Sequence, residues 1–313
     1  MRFYEFEAKQ ILRKFGVPIP EGKIAYTAEE AVQIFQSLDQ EVVIKAQVLS
    51  GGRMKAGGVK FANNANEVKK VTEEIMNITI NNQSPIGVIV EPKSPIEQEY
   101  YAAVTWDGVA KKPVVIFSDM GGIDIEEVAE KHPEHLSRTH LPNLRPASDY
   151  HAKLAVSNVG ITGRDLGQLS RMLKKLIDIF IEYDLTLSEI NPIAKLTDNS
   201  FIALDGHMDM ESEAKNAHAA LLKDLNIDIE DNRQSRPPTE FEINGALVDA
   251  QDTRGVAGNV TEFEGNLGLI IGAGGGSLTL FDAVRNAGGN PANYCEIGGN
   301  PSVKKTADLT KLI

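Results

Sequence analysis

The chain has 313 residues, enough for two domains, and its 42% hydrophobic content supports packed cores. Its 32 basic and 44 acidic residues give a formal net charge of −12, which argues against a protein that binds nucleic acid or an anionic membrane surface. A single cysteine, Cys295, excludes an intrachain disulfide, and no apolar run approaches the roughly 20 residues of a membrane span.

Helical patterning begins almost at Met1, which leaves no room for a signal or transit peptide, so we expect a cytoplasmic protein. The first helix carries an i,i+4 pair, Glu5 and Lys9, and Thr27 caps the second helix. Up to about residue 222, the predicted helices are 4–15, 28–38, 65–77, 123–131 and 164–182, and the predicted strands are 42–47, 59–61, 86–91, 98–106, 113–118, 185–190, 193–197 and 201–205. Strands 98–106 and 113–118 form a hairpin that turns at Asp107-Gly108. This order predicts one α+β unit with antiparallel strands.

The most informative segment is a glycine-rich basic loop that follows the strand carrying Lys45. Its glycines and cations are Gly51, Gly52, Gly57, Gly58, Arg53, Lys55 and Lys60. Glycines let backbone N–H groups approach an anion and the cations supply charge, so the loop suits a polyphosphate. It is not a Walker A loop, because no Gly-Lys-Ser/Thr opens a helix here. The alternative is a solvated basic hairpin.

Oxygen ligands lie at strand ends further along the chain. Asn191 follows a predicted strand in the run Glu189-Ile-Asn-Pro192, and Asp205 closes a neighbouring strand. Such a pair suits Mg²⁺ held by one or two protein groups plus nucleotide phosphates. Glu189 joins these ligands or acts through water. The alternative is a surface ion pair, although the phosphate loop in the same unit favours the metal site.

The strand 88–91 ends at Glu91 and leads through a Pro-Lys-Ser-Pro loop towards Glu99. This arrangement could present backbone groups to an adenine and carboxylates to a ribose. Glu97 and Glu99 are equally well explained as solvated charges at a sheet edge.

The segment 223–240 is charged, proline-bearing and aperiodic, and we interpret it as a linker between domains 1–222 and 241–313. Beyond it we predict a strand at 267–271, a glycine turn at 272–276, a helix capped by Ser277, a strand at 292–297 and a helix opened by Pro301. These elements are the start of a parallel α/β domain. One complete βα unit with part of another cannot bury both faces of a sheet, so we expect the chain to be truncated or cleaved.

The glycine turn lacks the G-x-G-x-x-G spacing of a dinucleotide site, so we do not expect NAD. A glycine turn that feeds a helix remains a good carboxylate or phosphate site, with a close strand–helix turn as the structural alternative. The six histidines, at positions 132, 135, 140, 151, 207 and 218, form no metal-binding pattern. Cys295 is interpreted as a buried core residue.

Five motifs in this order resemble the β subunit of succinyl-CoA synthetase (succinate–CoA ligase). They are Tyr4-Glu-Phe-Glu-Ala-Lys9, Lys45 with Gly-Gly-Arg-Met-Lys-Ala-Gly-Gly58, Val90-Glu with Glu99-Tyr-Tyr, Gly121-Gly-Ile-Asp-Ile-Glu126 and Glu189-Ile-Asn-Pro192. The resemblance implies an α/β protein, with an α+β ATP-grasp domain followed by the beginning of a flavodoxin-like parallel α/β domain.

The resemblance also implies a set of site residues. Those implied to line the nucleotide site are Lys45, Gly52, Arg53, Met54, Glu91, Ser94 and Glu99. Asn191 and Asp205 would hold Mg²⁺, Glu189 and Arg53 would take part in catalysis, and Pro20 lies where the family's nucleotide preference is partly set, with proline favouring ATP.

Two departures from the family pattern concern Met54, in place of the last glycine of Gly-Arg-Gly, and Ile271, where the succinate branch usually has an asparagine. The turn Gly274, Gly275, Gly276 and Ser277 and the run 292–299 look closer to ATP-citrate lyase and citryl-CoA synthetase, in which such a turn touches citrate. We favour succinate slightly, because that activity is the commoner one in the family, whereas Ile271 and the glycine turn favour citrate as the alternative.

The implied mechanism is a relay. The chain would bind MgATP and transfer the γ-phosphoryl group to a histidine on an α subunit, in a heterodimer or α2β2 heterotetramer, with CoA bound mainly to that partner. None of the six histidines occupies the family's phosphohistidine position, so we expect no turnover by this chain alone. A non-CoA ATP-grasp carboxylate–amine ligase and a catalytically silent interaction subunit are the competing interpretations.

Overall fold

The computed structural model describes residues 1–143, 146–229, 231, 233, 236, 238–257 and 260–313. The chain divides into two compact units, Met1–Arg236 and Pro237–Ile313. None of the helices within the described ranges combines the length and apolar character needed to cross a bilayer.

The smaller sheet of the first unit has four antiparallel strands in the order β1-β4-β2-β3. They are β1 (Lys23–Ala25), β2 (Val42–Ala46), β3 (Val59–Ala62) and β4 (Val88–Pro92). Two helices, α2 (Ala28–Leu38) and α3 (Ala65–Met76), pack on the sheet and enclose a core of their own. Their N-caps are Thr27 and Asn64, whose side chains accept hydrogen bonds from backbone N–H groups three residues later.

The larger sheet has the order β10-β8-β5-β6-β7, with β9 pairing on β8. Its strands are β5 (Ile96–Asp107), β6 (Lys112–Ser118), β7 (Leu136–His140), β8 (Leu185–Leu196), β9 (Phe201–Ala203) and β10 (His207–Met210). The helices of this region are α1 (Glu5–Lys14), α4 (Ile125–Lys131), α5 (Asp149–Ser157), α6 (Gly163–Glu182) and α7 (Ala219–Asp224). Apolar residues of alternate strand positions pack with helices α1, α5 and α6 in the main core of the unit.

The hairpin of β5 and β6 is confirmed, whereas β7 and α5 are absent from the prediction. The prediction of separate strands at 185–190 and 193–197 is wrong, because β8 runs through both. The ladder between β5 and β8 shifts register at the point opposite Asn191 and Pro192. Such a bulge lets a proline, which donates no ladder hydrogen bond, lie inside a central strand.

The segment predicted as a linker begins inside the first unit. Leu225 and Ile227 are buried in the main core, so the chain is still packed at these positions. Residues 230, 232, 234, 235 and 237 of the predicted linker lie outside the described residues. The next helix, α8 (Glu240–Ala250), has Thr239 as its N-cap and Glu242 completing a capping box.

The second unit combines short strands with three helices. Its elements are α8, β11 (Val256–Ala257), β12 (Thr261–Glu262), β13 (Ile271–Gly272), α9 (Gly276–Asn286), β14 (Asn293–Tyr294), β15 (Glu296–Gly298) and α10 (Val303–Leu312). Strands β13 and β15 pair in parallel, and β11 adds an antiparallel neighbour to β15. Cys295 is fully buried in the core of this unit, as predicted.

Two details of the second unit differ from prediction. The strand expected at 267–271 is regular only from Ile271, with an isolated bridge between Leu267 and Pro291 before it. Ser277 does not cap α9, because the N-cap residue is Gly275 and Ser277 lies inside the first turn. The hydroxyl of Ser277 donates instead to the Gly274 carbonyl, 2.8 Å away.

Candidate functional site

A cluster of six charged side chains joins α1, the smaller sheet and the larger sheet of the first unit. This charge cluster consists of Glu5, Lys9, Lys45, Arg53, Glu91 and Asp205. Three acids and three bases make it formally neutral. It brings together Lys45, Arg53, Glu91 and Asp205, four residues singled out by the sequence.

Lys45 lies at the centre of the charge cluster because β2 delivers it between α1 and β4. Its Nζ atom is 3.0 Å from one oxygen each of Glu5 and Glu91, and it donates to the Leu204 carbonyl at 2.5 Å. Lys9 contacts the same two carboxylates, at 2.7 Å and 2.5 Å. Each of the two acids therefore has two lysine partners.

Arg53 extends the cluster from the glycine-rich loop to the larger sheet. Its Nη1 atom lies 2.6 Å from Glu5 and donates to the Ala46 carbonyl at 3.0 Å, while its Nη2 atom lies 2.6 Å from Asp205. The loop guanidinium is thus directed inwards, where a polyphosphate would meet it. Lys60 is not part of this group, because it pairs with Glu74 on α3.

Burial and charge act against each other at Glu5, whose side chain is 2% exposed. Burial alone would raise the pKa of the Glu5 carboxyl, but Lys45, Lys9 and Arg53 together hold that pKa well below its usual value. Glu5 and Glu91 likewise raise the pKa of Lys45 against the effect of its burial. The cluster therefore keeps Lys45 charged in a place where an unpaired charge would be costly.

Asn191 lies in β8, and Asp205 lies in the connection between β9 and β10, the two strands that pair with the two ends of β8. Ile193 pairs with Ala203 on β9 and Glu189 pairs with His207 on β10, and both pairs belong to one continuous antiparallel register. If this register continued through residues 204–206, which lie outside the strands, Asn191 would be opposite Asp205. Asn191 Oδ1 accepts from the Gly122 N–H at 2.8 Å, and Asp205 Oδ1 accepts from the Gly206 N–H at 2.8 Å.

The donor set at these two positions fits a hard cation such as Mg²⁺, which prefers oxygen and often keeps few protein ligands. Within the described ranges, no group of three or more histidine, cysteine or acidic residues is placed to hold a metal by itself. An ion bound here would therefore depend on oxygens of a substrate as well as on Asn191 and Asp205.

Glu189 lies on the same face of β8 as Asn191. The Tyr101 hydroxyl donates to its Oε2 atom at 2.7 Å, and His207 is its register partner on β10. Burial raises the pKa of the Glu189 carboxyl, and the hydrogen bond from Tyr101 opposes that rise. The carboxylate therefore has a defined orientation in a half-buried setting.

Two glycines bring the chain close to Glu99 before α4 begins. A Cβ atom on Gly121 would lie 2.5 Å from the Tyr100 backbone, and one on Gly122 would lie 2.2 Å from Glu99 Oε2. Asn191 also donates to the carbonyl of Ile123 at 3.3 Å. The loop that leads into α4 is thus held against the strands that carry Asn191 and Glu99.

Three further residues predicted to line the nucleotide site, Gly52, Met54 and Ser94, lie outside the charge cluster. Gly52 has a φ of +80°, Met54 is 70% exposed, and Ser94 is half-buried in the connection from β4 to β5. A cleft of about 640 Å³ lies beside the cluster. Its lining includes Pro20, Lys9, Ile24, Ile89 and Glu91.

In the second unit, the predicted acid-binding turn precedes α9. Gly274 has a φ of +124°, a conformation that side-chain-bearing residues rarely adopt, and a Cβ atom on Gly274, Gly275 or Gly276 would meet no heavy atom within 4 Å. The Tyr294 hydroxyl lies 2.8 Å from Ser277 Oγ and 3.0 Å from Glu296 Oε2. The three glycines therefore leave the turn open, while the hydroxyl of Tyr294, which also contacts Glu296, holds the Ser277 side chain in place.

The contribution of α1 to the charge cluster was not predicted from the sequence. Glu5 and Lys9 were expected to form an i,i+4 pair within a family motif, whereas both are buried and reach Lys45 or Glu91. One signal was present, because Glu5 lies two helical turns before Leu12 and so shares the face that packs inwards. A charge on an apolar face indicates a buried partner elsewhere in the chain.

Comparisons with known proteins identify the family of this chain. A family model described as an ATP-grasp domain matches residues 2–195. The chain is 37% identical over 299 residues to subunit beta 1 of the ADP-forming succinate–CoA ligase of Archaeoglobus fulgidus, a match that covers 96% of this chain and 74% of that protein. The beta subunit of Methanocaldococcus jannaschii is 35% identical, covering 96% and 75%, and that of Bacillus subtilis is 32% identical, covering 100% and 79%.

Solved structures with this fold include ATP citrate lyase from Methanothrix soehngenii in complex with citrate and coenzyme A. It has a TM-score of 0.63 and 20% identity, and the match covers 100% of this chain and 75% of that one. The dinucleotide-forming acetyl-coenzyme A synthetase 1 of Ca. Korarchaeum cryptofilum, in complex with coenzyme A, Ca-AMPCP and HgCl+, has a TM-score of 0.55 and 21% identity, covering 67% and 93%. At these identities the likeness shows the fold.

Proposed function

The chain belongs to the ATP-grasp family and, within it, to the β subunits of ADP-forming CoA ligases, and from that premise we propose that it phosphorylates a histidine of a partner α subunit. In this proposal, MgATP is the phosphoryl donor, the phosphohistidine activates an acid as an acyl phosphate, and CoA bound mainly to the partner captures the acyl group. Succinate is the acid we favour, because the relatives at 32% to 37% identity are named for it. We propose that the chain forms a heterodimer or α2β2 heterotetramer with that α subunit, and that this assembly is cytoplasmic.

The observation that carries the proposal is the charge cluster itself. Lys45 and Arg53 are held charged, and Arg53 lies 2.6 Å from Asp205, so cations that could bind phosphate oxygens lie beside a carboxylate that could bind Mg²⁺. Phosphoryl transfer depends chiefly on positioning and on neutralising charge around the transferred group. A site with both kinds of group suits that reaction.

The triphosphate would extend from the cleft towards Arg53. Pro20, Ile24 and Ile89 give this cleft apolar walls that suit a purine base, and Glu91 lies at its inner side. Lys45 and Arg53 would exchange contacts with Glu5, Glu91 and Asp205 for phosphate oxygens. Bound between Asn191 and Asp205, Mg²⁺ would neutralise part of the phosphate charge.

In the transfer step, a ring nitrogen of the partner's histidine attacks the γ-phosphorus. The bond from that phosphorus to the β,γ-bridging oxygen breaks, and ADP leaves with the electron pair. Positive charge develops on the imidazole, whose other nitrogen keeps its proton. Glu189 would accept a hydrogen bond from that N–H and stabilise the charged ring.

A direct test uses ATP labelled in the γ-phosphoryl group. The isolated chain should bind MgATP in calorimetry without forming acyl-CoA. Adding the α partner should transfer the label to that partner, in a linkage that is labile in acid and stable in base. Label retained on this chain, or steady acyl-CoA formation without the partner, would contradict the proposal.

Citrate is the second candidate acid, and two observations favour it. Ile271, where the resemblance to the succinate branch implies an asparagine, is buried in β13 and offers no polar group to a ligand. The open glycine turn that follows leaves room for a bulkier acid. Assaying the assembled enzyme with both acids distinguishes the two, because only the true substrate should support CoA-dependent release of phosphate.

A further inference from the structure

The two neighbouring tyrosines of β5 lie on opposite faces of the larger sheet. Tyr100 belongs to the main core and stacks near Phe117. Tyr101 is equally buried, with 3% of its surface exposed, but it lies on the face that carries Glu189. Alternation along a strand thus separates a packing tyrosine from one that reaches the candidate site.

Glu189 lies between two strands that restrict its carboxylate. On the β5 side, the Tyr101 hydroxyl donates to Oε2 at 2.7 Å, and Ala103 is the register partner. On the β10 side, the register partner is His207, whose Nε2 atom lies 3.5 Å from Asp209. His207 acts on the Glu189 carboxylate through its charge, whereas the hydrogen bond that this carboxylate accepts among the described residues comes from Tyr101, whose hydroxyl therefore orients it.

We infer that Tyr101 is a positioning residue for the phosphoryl transfer, because its hydroxyl holds the Glu189 carboxylate towards the incoming histidine. This inference rests on the proposed function, in which Glu189 accepts a hydrogen bond from the histidine ring. A glutamate side chain has three rotatable bonds, and a fixed orientation removes the entropy that would otherwise be lost in the transition state. In this role Tyr101 acts on the reaction only through Glu189.

Removing only the hydroxyl tests this role. Tyr101→Phe should lower the single-turnover rate of partner phosphorylation about tenfold, the scale of one hydrogen bond to a charged group, without changing MgATP affinity. Tyr100→Phe is the matched control, because the Tyr100 hydroxyl makes no hydrogen bond to any described residue; its rate should equal that of the wild type.

A double-mutant cycle shows whether Tyr101 acts through Glu189. In a Glu189→Gln background, adding Tyr101→Phe should change the rate little, because the group that Tyr101 positions is already gone. If the two substitutions lowered the rate by independent factors that multiply, Tyr101 would have a general packing role and the inference would be overturned. A Tyr101→Phe rate equal to that of Tyr100→Phe would overturn it as well. A wild-type pair that transfers no phosphate overturns the proposed function instead, and the role of Tyr101 with it.

Discussion

The Nη2 atom of Arg53 lies 2.6 Å from the Oδ2 atom of Asp205. A residue proposed to hold phosphate is therefore the direct partner of a residue proposed to hold Mg²⁺. When Asp205 turns to the metal and Arg53 to a phosphate, each loses the other and gains a ligand of opposite charge. Metal and nucleotide should consequently bind with positive cooperativity.

Asp205→Asn should lower Mg²⁺ affinity far more than it lowers stability. The Asp205 side chain is 32% exposed and Arg53 keeps Glu5 as a partner, so we expect the free energy of unfolding to change by no more than about 1 kcal/mol. Mg²⁺ titration in the presence of ATP measures the first effect, and denaturant unfolding measures the second.

The matched control for this change is Asp198→Asn, in the turn between β8 and β9, where the side chain contacts only Ser200 among the described residues. It should leave Mg²⁺ affinity as in the wild type. An unaltered Mg²⁺ titration in Asp205→Asn would make Asp205 a structural ion-pair partner of Arg53 and nothing more.

Lys45→Met should weaken MgATP binding by about 1.5–3 kcal/mol, because it removes a charged donor while keeping the aliphatic stem. It should also lower the free energy of unfolding by roughly 3 kcal/mol, since Glu5 and Glu91 each lose one of two buried lysine partners. Calorimetry and urea unfolding separate the two effects. Lys60→Met, which affects only the pair with Glu74, should leave ATP binding intact; equal losses in both variants would argue against a specific role for Lys45.

Acid should destabilise the chain through Glu5. Its pKa is lower in the folded than in the unfolded protein, because Lys45, Lys9 and Arg53 outweigh the effect of burial. The stabilisation is therefore complete above the unfolded pKa of about 4.5 and is lost as the pH falls towards the folded pKa. Urea unfolding between about pH 7 and pH 3 should show this loss.

Glu5→Gln should remove that part of the pH dependence and also be less stable at neutral pH, because three cations then share fewer carboxylates. If the stability curves of the variant and the wild type run parallel across this pH range, Glu5 is not the group that titrates.

Gly275→Val should raise the KM of the assembled enzyme for its acid substrate and leave ATP binding unchanged. A Cβ atom at this position would meet no heavy atom within 4 Å, and the φ of −57° suits any L-residue, so the variant should fold. Gly275→Ser is the matched control, because it adds a smaller side chain and a good N-cap group. Its KM should rise less; an unaltered KM in both variants would make the turn a structural corner.

Local signals in the sequence predicted most of the first unit. Thr27 caps α2 as expected, and the strand before the glycine loop delivers Lys45 to the site. What local signals could not show is which distant groups meet. Glu5 contacts Lys45 forty positions later, and no periodicity encodes that pairing.

The second unit was predicted less well for a related reason. Its strands are two or three residues long, too short for an apolar run to mark their limits. Ser277 was assigned as a cap because serine favours that position, but its hydroxyl bonds back to Gly274 from inside the helix. The position of the N-cap depends on where the backbone turns into α9. The glycines before α9 do not indicate that point in the sequence.

The arrangement of the smaller sheet has a consequence for how the protein opens. Its first and last strands, β1 and β4, are antiparallel neighbours, so the chain enters and leaves this region at one edge, with Lys23 opposite Val90. Its core uses only residues from Ala25 to Val90, and the main core uses none of them. We therefore expect this inserted region to unfold as a cooperative unit once the charge cluster opens, so its amides should exchange with deuterium as a group while those of β5 and β8 remain protected.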